Sequence, residues 1–238
     1  MARMLRQIDD EVLERPFNKG QFLRLLSYMK PYRKNVALAL VLMIISSLCS
    51  LASTFLLSDA VDALEKQGAT SLILDLRDNP GGWVDDAVSV ADRFLDKQLV
   101  VYSKTRTEDY TDPRYTSAGA DNIPLVLLVN GSSASSSEIL SGCLQDHKRA
   151  TIVGTTTFGK GIMQQVIPLS DGETGIQFTY CEYFTPNGNA VHKIGITPDV
   201  QVEMPESMAY SQFEVGDMTD VQLKAAWEEA VKLPTSAE

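Results

Sequence analysis

Two stretches of this 238-residue chain hold side chains able to do chemistry. They are Asn130-Gly131-Ser132-Ser133-Ala134-Ser135-Ser136-Ser137-Glu138-Ile139 and Gly154-Thr155-Thr156-Thr157-Phe158-Gly159-Lys160-Gly161. The first ends an apolar run, 124–129, and leads into a helix-like segment from Glu138 to Leu144. A serine at such a strand-to-helix turn is exposed, and the helix N-terminus beside it favours developing negative charge. The second offers a lone lysine among glycines and apolar residues. Serine with a desolvated lysine is one way to build a nucleophile and its base. The pair reads as a Ser/Lys hydrolase site if the fold brings the two together.

The elements that must position them form an α/β pattern. Residues 59–67 read as a helix with Ala60, Val61 and Leu64 on one face and Gly68 as its stop. A strand over 71–76 breaks at Asn79-Pro80-Gly81-Gly82, a helix follows over 83–95, and 99–102 is a strand. Residues 105–122 lack a period and read as a surface excursion. Further strands fall at 124–129, 150–153, 163–167 and 175–184. Thr219-Asp220-Val221-Gln222 reads as a capping box opening a last helix, with Leu223, Ala226, Trp227 and Ala230 facing inward.

The net charge of −10 is unevenly spread. Residues 1–58 carry eight basic and four acidic side chains, whereas the remainder carries 13 basic and 27 acidic ones. An acidic body excludes nucleic acid as a partner. Cys49, Cys143 and Cys181 have no metal-type spacing, and no metal or cofactor is expected. Residues 36–57 hold no charge over 22 positions, long enough as a helix to cross a bilayer core of roughly 30 Å. Arg33 and Lys34 precede this run, and Asp59, Asp62 and Glu65 follow it. The basic flank sets the N-terminus on the cytoplasmic side and everything after residue 58 outside. A buried core helix and a cleaved signal peptide are the alternatives. The second fits poorly, because about 35 residues precede the run and signal peptides total roughly 15–30.

Gly154-x4-Gly159-Lys160 nearly spells a phosphate-binding loop, but Gly161 stands where Ser or Thr would hold magnesium. The residues after it are strand-like, so no helix N-terminus receives a phosphate, and no nucleotide is expected. His147 and His192 are single and far apart, and read as structural or exposed.

Taken together, the segments resemble the C-terminal-processing, or tail-specific, serine endopeptidases over about residues 59–205. The likeness lies in Leu74-Asp75-Leu76-Arg77-Asp78-Asn79-Pro80-Gly81-Gly82, in Ser133-Ala134-Ser135-Ser136-Ser137-Glu138-Ile139-Leu140, and in Thr157-Phe158-Gly159-Lys160-Gly161-Ile162-Met163-Gln164. It continues in Tyr183-Phe184-Thr185-Pro186-Asn187-Gly188, His192 and Gly195-Ile196-Thr197-Pro198-Asp199. The resemblance implies Ser135 as nucleophile, Lys160 as general base 25 positions on, and Gln164 as the residue orienting the lysine amine. It implies an oxyanion hole of backbone N–H groups from Ser136 and the Gly81/Gly82 turn. Ser136 stands where the usual motif has Ala. Phe158, Ile162 and Met163 would desolvate the lysine, and Asp146 falls where some members carry a supporting acid but reads as structural. The implied fold is a partial crotonase-like (ββα spiral) α/β peptidase core, here preceded by the one transmembrane helix read from 36–57, and the implied substrates are exposed C-terminal tails of extracytoplasmic proteins, bound as an added strand.

Residues 22–34 and the span after them resemble instead the elbow helix and first membrane helix of an ABC exporter. The expected organisation is a cytoplasmic amphipathic segment (1–35), a membrane helix (36–57), the catalytic domain (59–205) and a helical tail (206–238). The PDZ domain and core strand that the peptidase resemblance implies upstream are not recognisable, and the join falls between about Thr54 and Val61. The sequence therefore supports a single-pass, membrane-anchored bacterial Ser/Lys endopeptidase. The alternative is an inactive or unstable fusion fragment serving at most as a non-catalytic interaction module.

Overall fold

The computed structural model describes residues 30–105, 111–169, 174–205 and 216–234, with Gly20, Arg24, Tyr28 and Glu214; for residues 46–55, 57, 58 and 168 the description stops at the backbone. The chain divides into two compact units, Met1–Ser53 and Thr54–Glu238.

In the first unit, a 3₁₀ turn at Lys30–Tyr32 opens helix α1, Arg33–Lys66. Every side chain from 37 to 45 is exposed, including Leu38, Leu40, Leu42, Met43 and Ile44. Among the described residues no helix is long and apolar enough to cross a membrane. The expected span, 36–57, lies in α1, but most of its second half has side chains outside the described residues. Most of the exporter-like stretch 22–34 lies outside them as well.

In the second unit, α1 runs on through Asp59 to Lys66 rather than starting afresh there. No Gly or Pro interrupts it until Gly68, whose φ of +93° ends the helix. Of the face expected inward only Val61 is buried, whereas Ala60 and Leu64 are exposed.

Strand β1 (Leu72–Asp75) is followed by helix α2 (Val84–Asp92), strands β2 (Leu99–Thr105), β3 (Thr111–Tyr115) and β4 (Leu125–Val129), and helix α3 (Ser136–Asp146). Strands β5 (Ala150–Gly154), β6 (Ile162–Pro168), β7 (Gly175–Phe184) and β8 (Val200–Gln201) precede helix α4 (Val221–Lys232). One sheet is parallel, in the order β1-β4-β5-β8; the other is antiparallel, in the order β3-β2-β7-β6.

Strand β4 explains why 125–129 is apolar throughout. Leu125, Leu127 and Val129 pack into a core with α2, α3 and β2, and Val126 and Leu128 pack on the opposite face against Ala226 and Ala230 of α4. A parallel strand buried on both faces has no solvent-facing positions to alternate. Residues 206–238 thus contribute a helix that closes the back of the sheet.

The cap of α4 lies one residue later than the capping-box reading places it. Asp220 Oδ1 accepts from the Gln222 and Leu223 amides at 3.0 and 3.1 Å, while the Thr219 hydroxyl donates to Asp217. The register follows, so Gln222, Ala226 and Ala230 are the buried face and Trp227 is 51% exposed. Residues 105–122, read as aperiodic, contain strand β3, paired antiparallel with β2. Its polar sequence and Pro113 are compatible with a strand because β3 lies at a sheet edge.

Candidate active site

Three loops leave the C-terminal ends of the parallel strands: 76–83 after β1, 130–135 after β4 and 155–161 after β5. Crevices at that edge are where open α/β sheets hold ligands. The loops are bonded to one another. Asn130 Oδ1 accepts from the Asp78 amide and its Nδ2 donates to Asp78 Oδ1. The Ser133 hydroxyl donates to the Leu76 carbonyl at 2.7 Å, and the Asn79 carbonyl accepts from the Ala134 amide and the Ser137 hydroxyl. The Phe158 amide donates to the Ser133 carbonyl at 3.0 Å.

Ser135 is half-buried and caps α3 with φ 58° and ψ −120°. A non-glycine residue in this region costs on the order of 1–3 kcal/mol and persists only where its surroundings enforce it. One restraint is Gly81 (φ +84°): a Cβ there would stand 2.4 Å from the Ala134 carbonyl oxygen and 2.9 Å from Ser135 Cβ. Only glycine allows the turn to approach so closely.

The other restraint is Glu138, which is completely buried. Its Oε1 accepts from the Thr157 hydroxyl and the Gly159 amide, both at 2.6 Å, and its Oε2 accepts from the Ser135 and Lys160 amides at 2.9 and 2.8 Å. A buried carboxylate is tolerable when its oxygens are satisfied in this way. Tyr183, also buried, donates its phenol to the Lys160 carbonyl. Burial raises its pKa, the nearby Glu138 charge raises it further, and the adjacent Ser135 hydroxyl offsets part of the rise. The phenol therefore stays a donor.

Ser135, Lys160, Gln164 and Gly82 line one cleft of about 610 Å³, together with Val101, Ile162, Met163 and Tyr180 on its apolar side. Among the described residues no hydrogen bond joins Ser135 Oγ to Lys160 Nζ. The lysine side chain is exposed, Phe158 is 66% exposed, and Ile162 and Met163 are half-buried. Of the three residues expected to surround Lys160, Ile162 and Met163 share its cleft, whereas Phe158 is turned to solvent. Gln164 accepts from Gln177 Nε2 at 2.9 Å rather than meeting the lysine amine. The ladder slips between Met163 and Gln164, and such an irregularity re-aims the side chains beside it.

The glycine turn does meet Ser136, but its donors are engaged. The Gly81 amide donates to Asn79 Oδ1 at 2.9 Å, and the Gly82 amide to Ser136 Oγ at 2.6 Å. Asp146 lies at the far end of α3 and accepts from the Asn187 amide. His147 Nε2 meets the Leu99 carbonyl at 2.8 Å. Asp62, Glu65 and Asp121 gather elsewhere, where Arg93 bonds both aspartates, so ion pairing accounts for that cluster.

Sequence reasoning missed Glu138, Thr157 and Tyr183. The Ser135-x-x-Glu138 spacing, which has the form of a capping box, was the one available signal.

A protein-family model described as peptidase family S41 matches residues 44–202. A carboxyl-terminal-processing protease of a Synechocystis species is 46% identical over 169 residues, covering 70% of this chain and 38% of that protein. A carboxy-terminal-processing protease of Bartonella bacilliformis is 47% identical over 146 residues, covering 60% of this chain and 33% of that protein. Among solved structures, the photosystem II D1 C-terminal processing protease superposes with a TM-score of 0.60 at 39% identity, over 64% of this chain and 39% of the other. The chain thus spans about a third to two fifths of the length of these two relatives.

Proposed function

This chain belongs to peptidase family S41, and from that premise we propose that it is a serine endopeptidase acting on exposed C-terminal regions of protein substrates. The observation that carries the reading is the shared Glu138 carboxylate, which ties the Ser135 and Lys160 backbones together so that both residues line one cleft. The names of its relatives support the substrate class, and the two sheets are read as part of a crotonase-like spiral.

In the proposed reaction the neutral Lys160 amine takes the Ser135 proton as Oγ bonds to the scissile carbonyl carbon. The oxyanion forms beside the Ser136 amide, in the first turn of α3. When the C–N bond breaks, the Lys160 ammonium returns the proton to the leaving amine. Water, deprotonated by the same amine, then hydrolyses the acyl-serine ester. Residues 36–57 are read as a single membrane span with the peptidase unit outside, supported by 22 uncharged positions and by apolar side chains exposed all round over 37–45.

Detergent-solubilised full chain, incubated with an unstructured peptide ending in apolar residues, tests the chemistry. Cleavage by the native chain and loss in Ser135→Ala and Lys160→Ala is the expected result. Equal cleavage in all three overturns the enzyme reading. No cleavage in any favours the non-catalytic alternative, to which the engaged Gly81 and Gly82 amides already lend one observation.

A further inference from the structure

We infer that the Ser136 hydroxyl is a latch on the oxyanion hole: it holds the Gly82 amide at rest and must turn away before that amide can serve a substrate. The inference rests on the proposed Ser/Lys chemistry and adds a side-chain role to it. Ser136 directly follows the nucleophile, is 8% exposed, and opens α3. Its Oγ accepts from the Gly82 amide at 2.6 Å, at the short end of N–H···O contacts. The neighbouring Gly81 amide is held by Asn79. Both donors of the turn are therefore satisfied within the protein, and the one beside the cleft is satisfied by a side chain that can rotate.

The contact is reversible by its chemistry. A neutral hydroxyl is a weaker acceptor than the oxyanion of a tetrahedral intermediate, which makes charge-assisted bonds about twice as strong. Rotation of Ser136 about χ1 gives up one neutral hydrogen bond and exposes the Gly82 N–H. The cost falls on the transition state, where the oxyanion develops, and little of it on the bound substrate. Alanine at 136 has no acceptor to offer, so the Gly82 amide would await the oxyanion without a competitor.

Steady-state cleavage of a fluorogenic peptide by the full chain in micelles tests the latch, comparing the native chain with Ser136→Ala, Ser136→Cys and Ser135→Ala. The expected result is a kcat for Ser136→Ala about two- to twelvefold higher with KM little changed, the factor set by a neutral hydrogen bond of roughly 0.5–1.5 kcal/mol. A peptide boronate that mimics the tetrahedral state should bind Ser136→Ala tighter by the same factor, while the cleaved product peptide binds both equally. Ser136→Cys, a weaker acceptor of similar shape, should move in the same direction and stands in where the alanine variant does not fold. Cleavage by Ser136→Ala from a silent native chain also supports the latch. A fall in kcat overturns it and makes the hydroxyl a donor to the oxyanion. Unchanged kcat, with Ser135→Ala inactive, overturns the latch and leaves the peptidase reading standing. No turnover and no boronate binding in either chain overturns both.

Discussion

The backbone amides of Ser135 and Lys160 donate to the same oxygen, Glu138 Oε2, at 2.9 and 2.8 Å. Two loops from different strands are thereby fixed at their chemically important residues by one buried carboxylate. Its other oxygen holds Thr157 and Gly159, so the lysine loop is gripped on both sides of Phe158.

Glu138→Gln should therefore damage the site more than a neutral, nearly isosteric change suggests. An amide nitrogen would replace one carboxylate oxygen and face two donors, leaving both unsatisfied in the interior. Each such loss costs about 1–3 kcal/mol. The expected outcome is a melting temperature lowered by several degrees and peptide cleavage reduced at least about 100-fold. A fall in kcat at temperatures where circular dichroism shows the variant fully folded would mark Glu138 as a positioning residue. Native kcat in the folded variant would show that the carboxylate serves stability alone.

Local pattern made part of this protein legible. The strand over 124–129 was readable because burial on both faces leaves a continuous apolar run, and the turns were readable from their Gly, Pro and Asn content. Strand β3 was not, since an edge strand rich in polar residues carries no alternation to detect. The residues that could do chemistry were legible by type, but their mutual placement was not. Glu138 looks like any acidic residue in a first helical turn until the fold buries it between two loops. The aim of Gln164 was hidden for a related reason: it depends on a ladder irregularity that composition does not announce.

Arg77 and Asp220 give a second consequence. Arg77 bonds Asp220 Oδ2 and Asp75 Oδ2, each at 2.7 Å, and its side chain and that of Asp220 are almost wholly buried. The same aspartate caps α4. Asparagine preserves the cap but removes the charge, so Asp220→Asn should cost about 3–5 kcal/mol in chemical unfolding, the range for breaking a buried pair on one side. Asp220→Ala should cost about 1 kcal/mol more through the lost cap. Pairing Asp220→Asn with Arg77→Met should recover part of the loss, because no buried charge is then left over. Arg77 lies two residues before Asn79, so the single variants should also slow cleavage by loosening the glycine turn. Additive costs in the double variant would refute the coupling.

Cys143 lies wholly within the core, and its Sγ meets the Leu99 carbonyl at 3.7 Å. Burial, with the Asp146 charge adding to it, pushes its thiol from 9.0 up to about 12. The thiolate is the reactive form, so iodoacetamide at pH 8.5 should leave Cys143 unmodified in the folded chain and alkylate it after unfolding in urea, as read by mass spectrometry. The same shift sets the sign of a stability change. A thiol raised in the folded state is protonated in both states below pH 9, and between about 9 and 12 only the unfolded chain has released its proton. Its stabilising contribution is therefore full below pH 9 and is lost as pH rises through 12. Cys181 is also raised by burial and adds in the same direction. Unfolding midpoints should fall between pH 9 and 10.5 with a slope made shallower by Cys143→Ala. Modification of Cys143 in the folded chain at pH 8.5, or an unchanged slope in the variant, would show that the thiol is open to solvent.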